Sequence, residues 1–175
     1  GDIDATMVVD AEGMIYVSIE HEPSQMSAAE IERNLAVGQL IKLNPYSDGD
    51  PRVWGLDLTS GSSDAGSWST PAVRNGVVYV NTHQGSLIAV DAADGTLLWQ
   101  DAVGFHSWSS PAIVDATLVT ATCLGDVRAY SLADPRAPAR DWSLSLGEAC
   151  LEATPVVWED TIYLGSRDGF MRALR

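Results

Sequence analysis

The feature that most narrows what this chain can fold into is an internal repeat. Residues 69–85, 109–125 and 153–169 align without a gap. Each copy opens on a hydroxyl residue and a proline (Thr70 and Pro71, Ser110 and Pro111, Thr154 and Pro155) and reaches a glycine fourteen residues after the proline (Gly85, Gly125, Gly169). An alanine follows four residues later (Ala89, Ala129, Ala173), and the prolines recur after 40 and then 44 residues. A unit of that length cannot bury its own apolar face, so copies must stack on one another. A fourth, earlier copy appears once an insertion at residues 21–37 is set aside. Thr6 and Met7 stand at its Thr-Pro position, residues 14–17 match 77–80 and 161–164, and the pattern resumes at Gly38.

Each copy reads as short strands. Runs such as residues 76–80 (Gly-Val-Val-Tyr-Val) are β-branched or aromatic and are bounded by Asn, Gly or Asp turns. The proline sits where a strand opens, where one missing N–H does least harm. A tryptophan closes three copies (Trp54, Trp99, Trp142), which makes four strands per copy. The fold expected is all-β, a propeller of about four blades of four antiparallel strands, the last blade incomplete. The blades fall at about 1–58, 65–102, 105–146 and 149–175, in one partial propeller domain over 1–175. The last copy stops after its third strand, and three states follow: a fragment of a longer polypeptide, a half-propeller that dimerises, or a compact four-bladed ring. The fragment is the favoured reading.

Residues 89–99 run Ala-Val-Asp-Ala-Ala-Asp-Gly-Thr-Leu-Leu-Trp. This stretch resembles the tryptophan-docking motif of pyrroloquinoline-quinone (PQQ)-type propellers, Ala-x-Asp-x-x-x-Gly-x-x-x-Trp. Asp91 caps a tight turn, Gly95 lets the chain reverse, and Trp99 is free to pack on a neighbouring blade. Trp54 closes a looser first copy with Gly49 in its turn, and Trp142 a third copy whose turn is lengthened through residues 134–138. The resemblance covers residues 5–174 and implies a parent propeller of seven or eight blades.

The insertion carries Ser27 and Glu30 in a capping-box arrangement, followed by Ile31 and Leu35. A short amphipathic helix is expected there, overhanging one mouth of the central channel. It serves either as a lid or partner-docking element or, the favoured reading, as a decorated loop covering apolar surface.

Positions just before each first strand converge on the same mouth: Asp2 and Asp4, Trp68, His106 and Trp108, and Cys150 and Glu152. Carboxylate, imidazole and indole together could floor a planar ligand or hold a cation. Repeats always bring equivalent positions together, however, so convergence is weak evidence for a ligand site. Cys123, near the end of one second strand, falls on the same face as Cys150 of the next blade. They form either a disulfide between blades or two buried thiols. A His/Cys metal centre has little support, because His21, His83 and His106 lie in different blades without ligand spacing. No Gly-x-Ser-x-Gly elbow occurs, and residues 57–64 lack the closing Glu of an EF-hand loop.

Composition removes other classes. The net charge is −14, from 24 acidic and 10 basic residues. Such a surface repels phosphate backbones, so no nucleic-acid partner is expected. A solvated acidic surface explains the charge better than a specific cationic partner does, since the aspartates are scattered through turns. No apolar run reaches the ~18 residues of a spanning helix.

For function, the resemblance implies two readings. One is a non-catalytic module that binds protein or ligand or acts as a scaffold, as does the lipoprotein subunit of the outer-membrane β-barrel assembly machinery. Its partner would be another protein, the remainder of the propeller or a second copy, and no catalytic residue or cofactor is expected. The other is a piece of a quinoprotein alcohol or sugar dehydrogenase using PQQ and Ca²⁺. Many such dehydrogenases carry adjacent cysteines, which this chain lacks, and no calcium-binding set matches; binding is favoured over catalysis. The resemblance also implies a periplasmic or extracellular location.

Overall fold

The structure is a computed structural model that describes residues 3–59, 64–104 and 107–175. Four antiparallel sheets follow one another along the chain. The first contains β1 (Val8–Val9), β2 (Ile15–Ser18), β4 (Leu40–Leu43) and β5 (Arg52–Leu56), in that order. Between β2 and β4 lie β3 (Glu20–His21), a 3₁₀ turn (Pro23–Gln25) and α1 (Ala28–Val37). After β6 (Ala65–Gly66), the second sheet comprises β7 (Ala72–Arg74), β8 (Val77–Asn81), β9 (Ser86–Asp91) and β10 (Leu97–Ala102). The third is β11 (Ala112–Val114), β12 (Thr117–Ala121), β13 (Asp126–Ser131) and β14 (Ala139–Ser145). The fourth has three strands, β15 (Val156–Trp158), β16 (Thr161–Gly165) and β17 (Met171–Leu174).

Alternation along the strands divides each sheet's side chains between its two neighbours. Tyr16, Leu40 and Trp54 of the first sheet bury against Val78, Val80, Ile88 and Val90 of the second. Val77, Tyr79, Leu87 and Ala89 on the second sheet's other face meet Leu118 and Tyr130 of the third. Val119, Ala121 and Val127 then meet Leu164 of the fourth. The core is therefore three slabs between four sheets, and every sheet depends on its neighbours to stay dry.

Polar contacts explain the hydroxyl residue before each proline. The amide of Thr6 donates to Thr70 Oγ1 (3.0 Å), that of Thr70 to Ser110 Oγ (2.8 Å), and that of Ser110 to Thr154 Oγ1 (3.3 Å). Each blade satisfies the amide of the one before it at a point where no ladder partner exists. The first strands are thus drawn together at their starts and line the axis. Beside this chain, one carbonyl per blade accepts from the preceding blade: Ser69 O from Ser18 Oγ, Ser109 O from Asn81 Nδ2, and Ala153 O from Ser109 Oγ.

The tryptophans close the outer edge. In all three complete sheets the ladder slips by one residue immediately before the tryptophan, at Val53, Leu98 and Asp141. The extra residue bends and twists the fourth strand. Trp54 packs on the turn of the second sheet, where its Nε1 donates to Ala92 O (3.2 Å). Gly95 permits this approach: it has φ +80°, and a Cβ there would lie 2.9 Å from the indole. Asp91 accepts from the Ala93 amide within that turn (2.9 Å) and from Arg136 of the third copy's long turn (2.7 Å). Trp99 meets Tyr130 of the third sheet edge-on, centroids 5.5 Å apart. Trp142 is 41% exposed, since the fourth sheet presents no such turn to it.

The insertion forms the helix expected of it. Ser27 and Glu30 make the reciprocal capping box, and Gly38 ends α1 with φ +87°. Its placement differs from the expectation of a helix over the channel mouth. The C-terminal half of α1 lies against the outer strands: Arg52 donates to Ala36 O (2.9 Å), and a Cβ on Gly55 would collide with Val37 O. A side-chain-free position on β5 gives the helix end its closest seat there. The start of the insertion does reach the mouth, because β3 pairs with β6 ahead of Trp68.

Two outcomes are expected. Gly95→Ala combines left-handed strain of about 1–2 kcal/mol with a clash against Trp54, whereas Gly169→Ala, at φ +85° with open space around it, carries the strain alone. Urea denaturation should therefore place Gly95→Ala measurably below Gly169→Ala. For Asp91, the Ala93 amide and then the Arg136 guanidinium hold the carboxyl below its usual range. A depressed carboxylate contributes stability that is full above the unfolded value of about 3.9 and is lost as pH falls through the folded value. The gap in thermal midpoint between wild type and Asp91→Asn should be constant from about pH 7 to 5 and shrink below about pH 4.

Candidate functional site

The mouth is built where the segment leading into each blade crosses the turn between second and third strands. His83 N donates to Gly66 O (2.9 Å) and Arg167 N to Cys150 O (3.1 Å), so lead-in and turn are bonded within one blade. Leu151 N donates to Thr122 O (3.1 Å), which bonds them across a junction. These amides fix what the side chains can do. Trp68 stacks at 4.0 Å on the buried ring of His83, tilted by 48°. Trp108 lies under the guanidinium of Arg167 at 5.1 Å, and Arg167 forms an ion pair with Glu152 (2.7 Å). Cys123 and Cys150 are joined as a disulfide that ties the third blade to the fourth.

Of the residues expected at the mouth, Trp68, Trp108 and Glu152 are thus engaged in two ring-centred contacts. Asp4 is exposed and takes no part in either. Asp2 and His106 lie outside the described residues. His83 and Arg167 are participants that the sequence reading passed over. Both stand two residues before a turn glycine, as does Cys123, so the repeat register already marked that position as facing the mouth.

One face of the Trp108 indole is occupied by a cation, and Glu152 is neutralised by the same guanidinium. The Trp68 ring is stacked on His83. A planar quinone on the occupied face of either indole, or a divalent cation on Glu152, would have to displace these partners. The ligand atoms of Cys123, Cys150 and Glu152 lie within 4.8 Å of one another. The two sulfurs are already bonded to each other, which leaves a single donor.

Behind the mouth, the insertion is held by a buried polar network. His21 Nδ1 meets Asn34 Oδ1 (2.6 Å), Asn34 Nδ2 donates to Glu20 O (3.0 Å), and Gln39 Nε2 donates to Asn34 Oδ1 (2.7 Å). Gln39 Oε1 in turn accepts from the Leu58 amide (2.8 Å). The Thr59 hydroxyl and amide hold Asp57 below the usual carboxylate range. Among the described residues no helix is long and apolar enough to cross a membrane.

Comparison with known proteins agrees with this architecture. The model of the PQQ-repeat family described as outer membrane protein assembly factor BamB matches residues 3–175. The chain belongs to this family. The outer membrane protein assembly factor BamB of Yersinia pestis is 25% identical over 138 residues, covering 73% of this chain and 34% of that protein. The crystal structure of BamB from Moraxella catarrhalis superposes with a TM-score of 0.71 at 19% identity, over 98% of this chain and 46% of that one. The quinohemoprotein alcohol dehydrogenase of Comamonas testosteroni gives 0.67 at 16% identity, over 94% of this chain and 29% of that one. The computationally designed protein Ika4 gives 0.65 at 9%, over 99% and 90%. The chain thus spans between a third and a half of the BamB proteins it matches, and the structural likenesses speak for the fold alone.

The disulfide has a direct test. Unreduced, denatured protein should take up no alkylating label and reduced protein two, read by mass. Replacing both cysteines by serine should lower stability by about 3 kcal/mol in urea.

Proposed function

We propose that this chain is part of a non-catalytic scaffold of the BamB type, one that binds other proteins during assembly of outer-membrane proteins and works on the periplasmic side of that membrane. Family membership supports the scaffold reading. The observation that supports a place for it on the molecule is the mouth: two half-buried indoles, one backed by the buried His83 ring, and an Arg–Glu pair on bonded turns. Aromatic and arginine side chains on rigid backbone are what protein contacts concentrate their energy in.

A second kind of partner belongs to the sheet faces. Val156, Trp158 and Met171 of the fourth sheet are 60%, 66% and 77% exposed, where the other junctions bury such faces. A further blade fits this face, supplied by the rest of a longer polypeptide as in the longer relatives, or by a second copy of this chain.

The alternative, a piece of a PQQ- and calcium-dependent dehydrogenase, draws on the likeness to the Comamonas enzyme, and one experiment separates the two. Trp68→Ala and Trp108→Ala are placed in the full-length host protein, and heat-modifiable outer-membrane β-barrel proteins are measured beside PQQ-dependent alcohol oxidation. The scaffold reading expects β-barrel levels to fall severalfold with oxidation unaffected. Unchanged β-barrel levels with loss of oxidation would overturn it.

A further inference from the structure

A stack of like blades has complementary ends. In the first two copies Tyr16 and Tyr79 point into the following sheet. Alternation puts Tyr163, at the same place in the fourth copy, on that sheet's free face with Val156 and Met171, and it is 38% exposed there. At the other end of the stack, Ile15, Val17, Ile41 and Leu43 of the first sheet stand at the places of Val78, Val80, Ile88 and Val90. In the second sheet those four residues receive Tyr16, Leu40 and Trp54. A projecting face and a receiving face on one molecule make a head-to-tail contact, which builds rings or filaments.

The receiving face is not bare. Leu40 and Lys42 are turned to the second sheet, Leu40 in the apolar slab and Lys42 on Ala92 O, so Ile41 between them faces away. Ile41 pairs with Gly55 across the ladder, and on that far face of β5 Val37 O lies where a Cβ on Gly55 would be. The second and third copies have Gln100 and Ser143 at this place. Ala36 and Val37 of α1 share a groove of about 450 Å³ with Ile41 and Leu43. Ile41 is only 6% exposed and Val17 4%, although neither belongs to the slab between the first and second sheets. Val9, nearer the axis, is left 61% exposed. Toward solvent α1 shows Glu30, Glu32 and Arg33.

We infer that α1 is an end cap: it holds the rim of the first sheet's far face, so that the open fourth sheet of a second copy cannot seat there. The first two junctions both use the rim, through Trp54 and Trp99, and α1 lies where such a contact would form. Terminal units of stacked repeats need a cover of this kind, polar on its outer side, to stay apart in solution. The capping box and Gly55 then serve one device, since the first starts the helix and the second gives its end a place on the sheet. The inference stands independently of the scaffold reading.

Two variants uncover the face by different routes. Removing residues 22–37 joins His21 to Gly38 and leaves the connection that the second copy has at 82–85, and Gly55→Gln installs the second copy's own residue against Val37. Sedimentation velocity at rising concentration reads self-association, and a cooperative thermal transition shows that a variant is folded. Wild type is expected to go no further than a dimer, and each folded variant to pass that size. Adding Trp158→Glu, on the fourth sheet's free face, should abolish the growth. Larger assemblies of wild type, a folded variant no larger than wild type, or growth that survives Trp158→Glu would overturn the inference. So would loss of folding in both variants, because a cover is dispensable to the blades beneath it.

Discussion

Each blade of this protein is unstable without the next, because a four-stranded sheet with two apolar faces has no dry side of its own. The structure meets this with axial and core contacts repeated at all three junctions, and with a seated tryptophan at two of them. Near the axis, a backbone amide finds its acceptor in the hydroxyl before the next blade's proline. Across the middle, apolar side chains from facing sheets interdigitate. Toward the rim, a bulge bends the fourth strand just before the tryptophan, and Trp54 comes to rest on a turn that only glycine can complete. Polar, apolar and aromatic contacts all act between blades, so local disruption is felt by both neighbours.

The two edges of the sheets then diverge in character. At the mouth, lead-in segments are hydrogen-bonded to the strand turns, one junction is locked covalently by Cys123 and Cys150, and the insertion contributes a short ribbon to β6. The side chains held there are paired with one another. At the opposite edge, the junctions are closed by turns of unequal length. The long third-copy turn seals its junction through Tyr79 and Asp91, and the short second-copy turn receives Lys42 and Trp54 of the first sheet on Ala92 O. Variation among copies in an otherwise uniform scaffold is where a repeat protein can acquire specific contacts.

Much of this was legible in the chain itself. The spacing of Pro71, Pro111 and Pro155 marked three of the four sheets, and the Thr6–Met7 match marked the other. Where the connection is two to four residues long, as between β7 and β8, β8 and β9, β11 and β12, β12 and β13, and β15 and β16, an antiparallel neighbour followed directly. The capping box at Ser27 and Glu30 announced α1, and the shared face of Cys123 and Cys150 brought them together as one of two readings. The site was less legible. Trp68, Trp108 and Glu152 could be assigned to the mouth from register, and so could the position of His83 and Arg167 two residues before a turn glycine, but nothing in the pattern says which of these side chains touch.

What the sequence determined by itself is therefore whatever depends on near neighbours and on periodicity: strands, turns, the glycines at left-handed positions, and the stacking of similar units. Tertiary structure alone decided where α1 rests, which guanidinium lies on which indole, and why the hydroxyl before each proline is there. The reason is physical. Those features join residues 16 to 64 positions apart, through distances that no local pattern encodes, and all but the seat of α1 exist only once one blade has packed against the next.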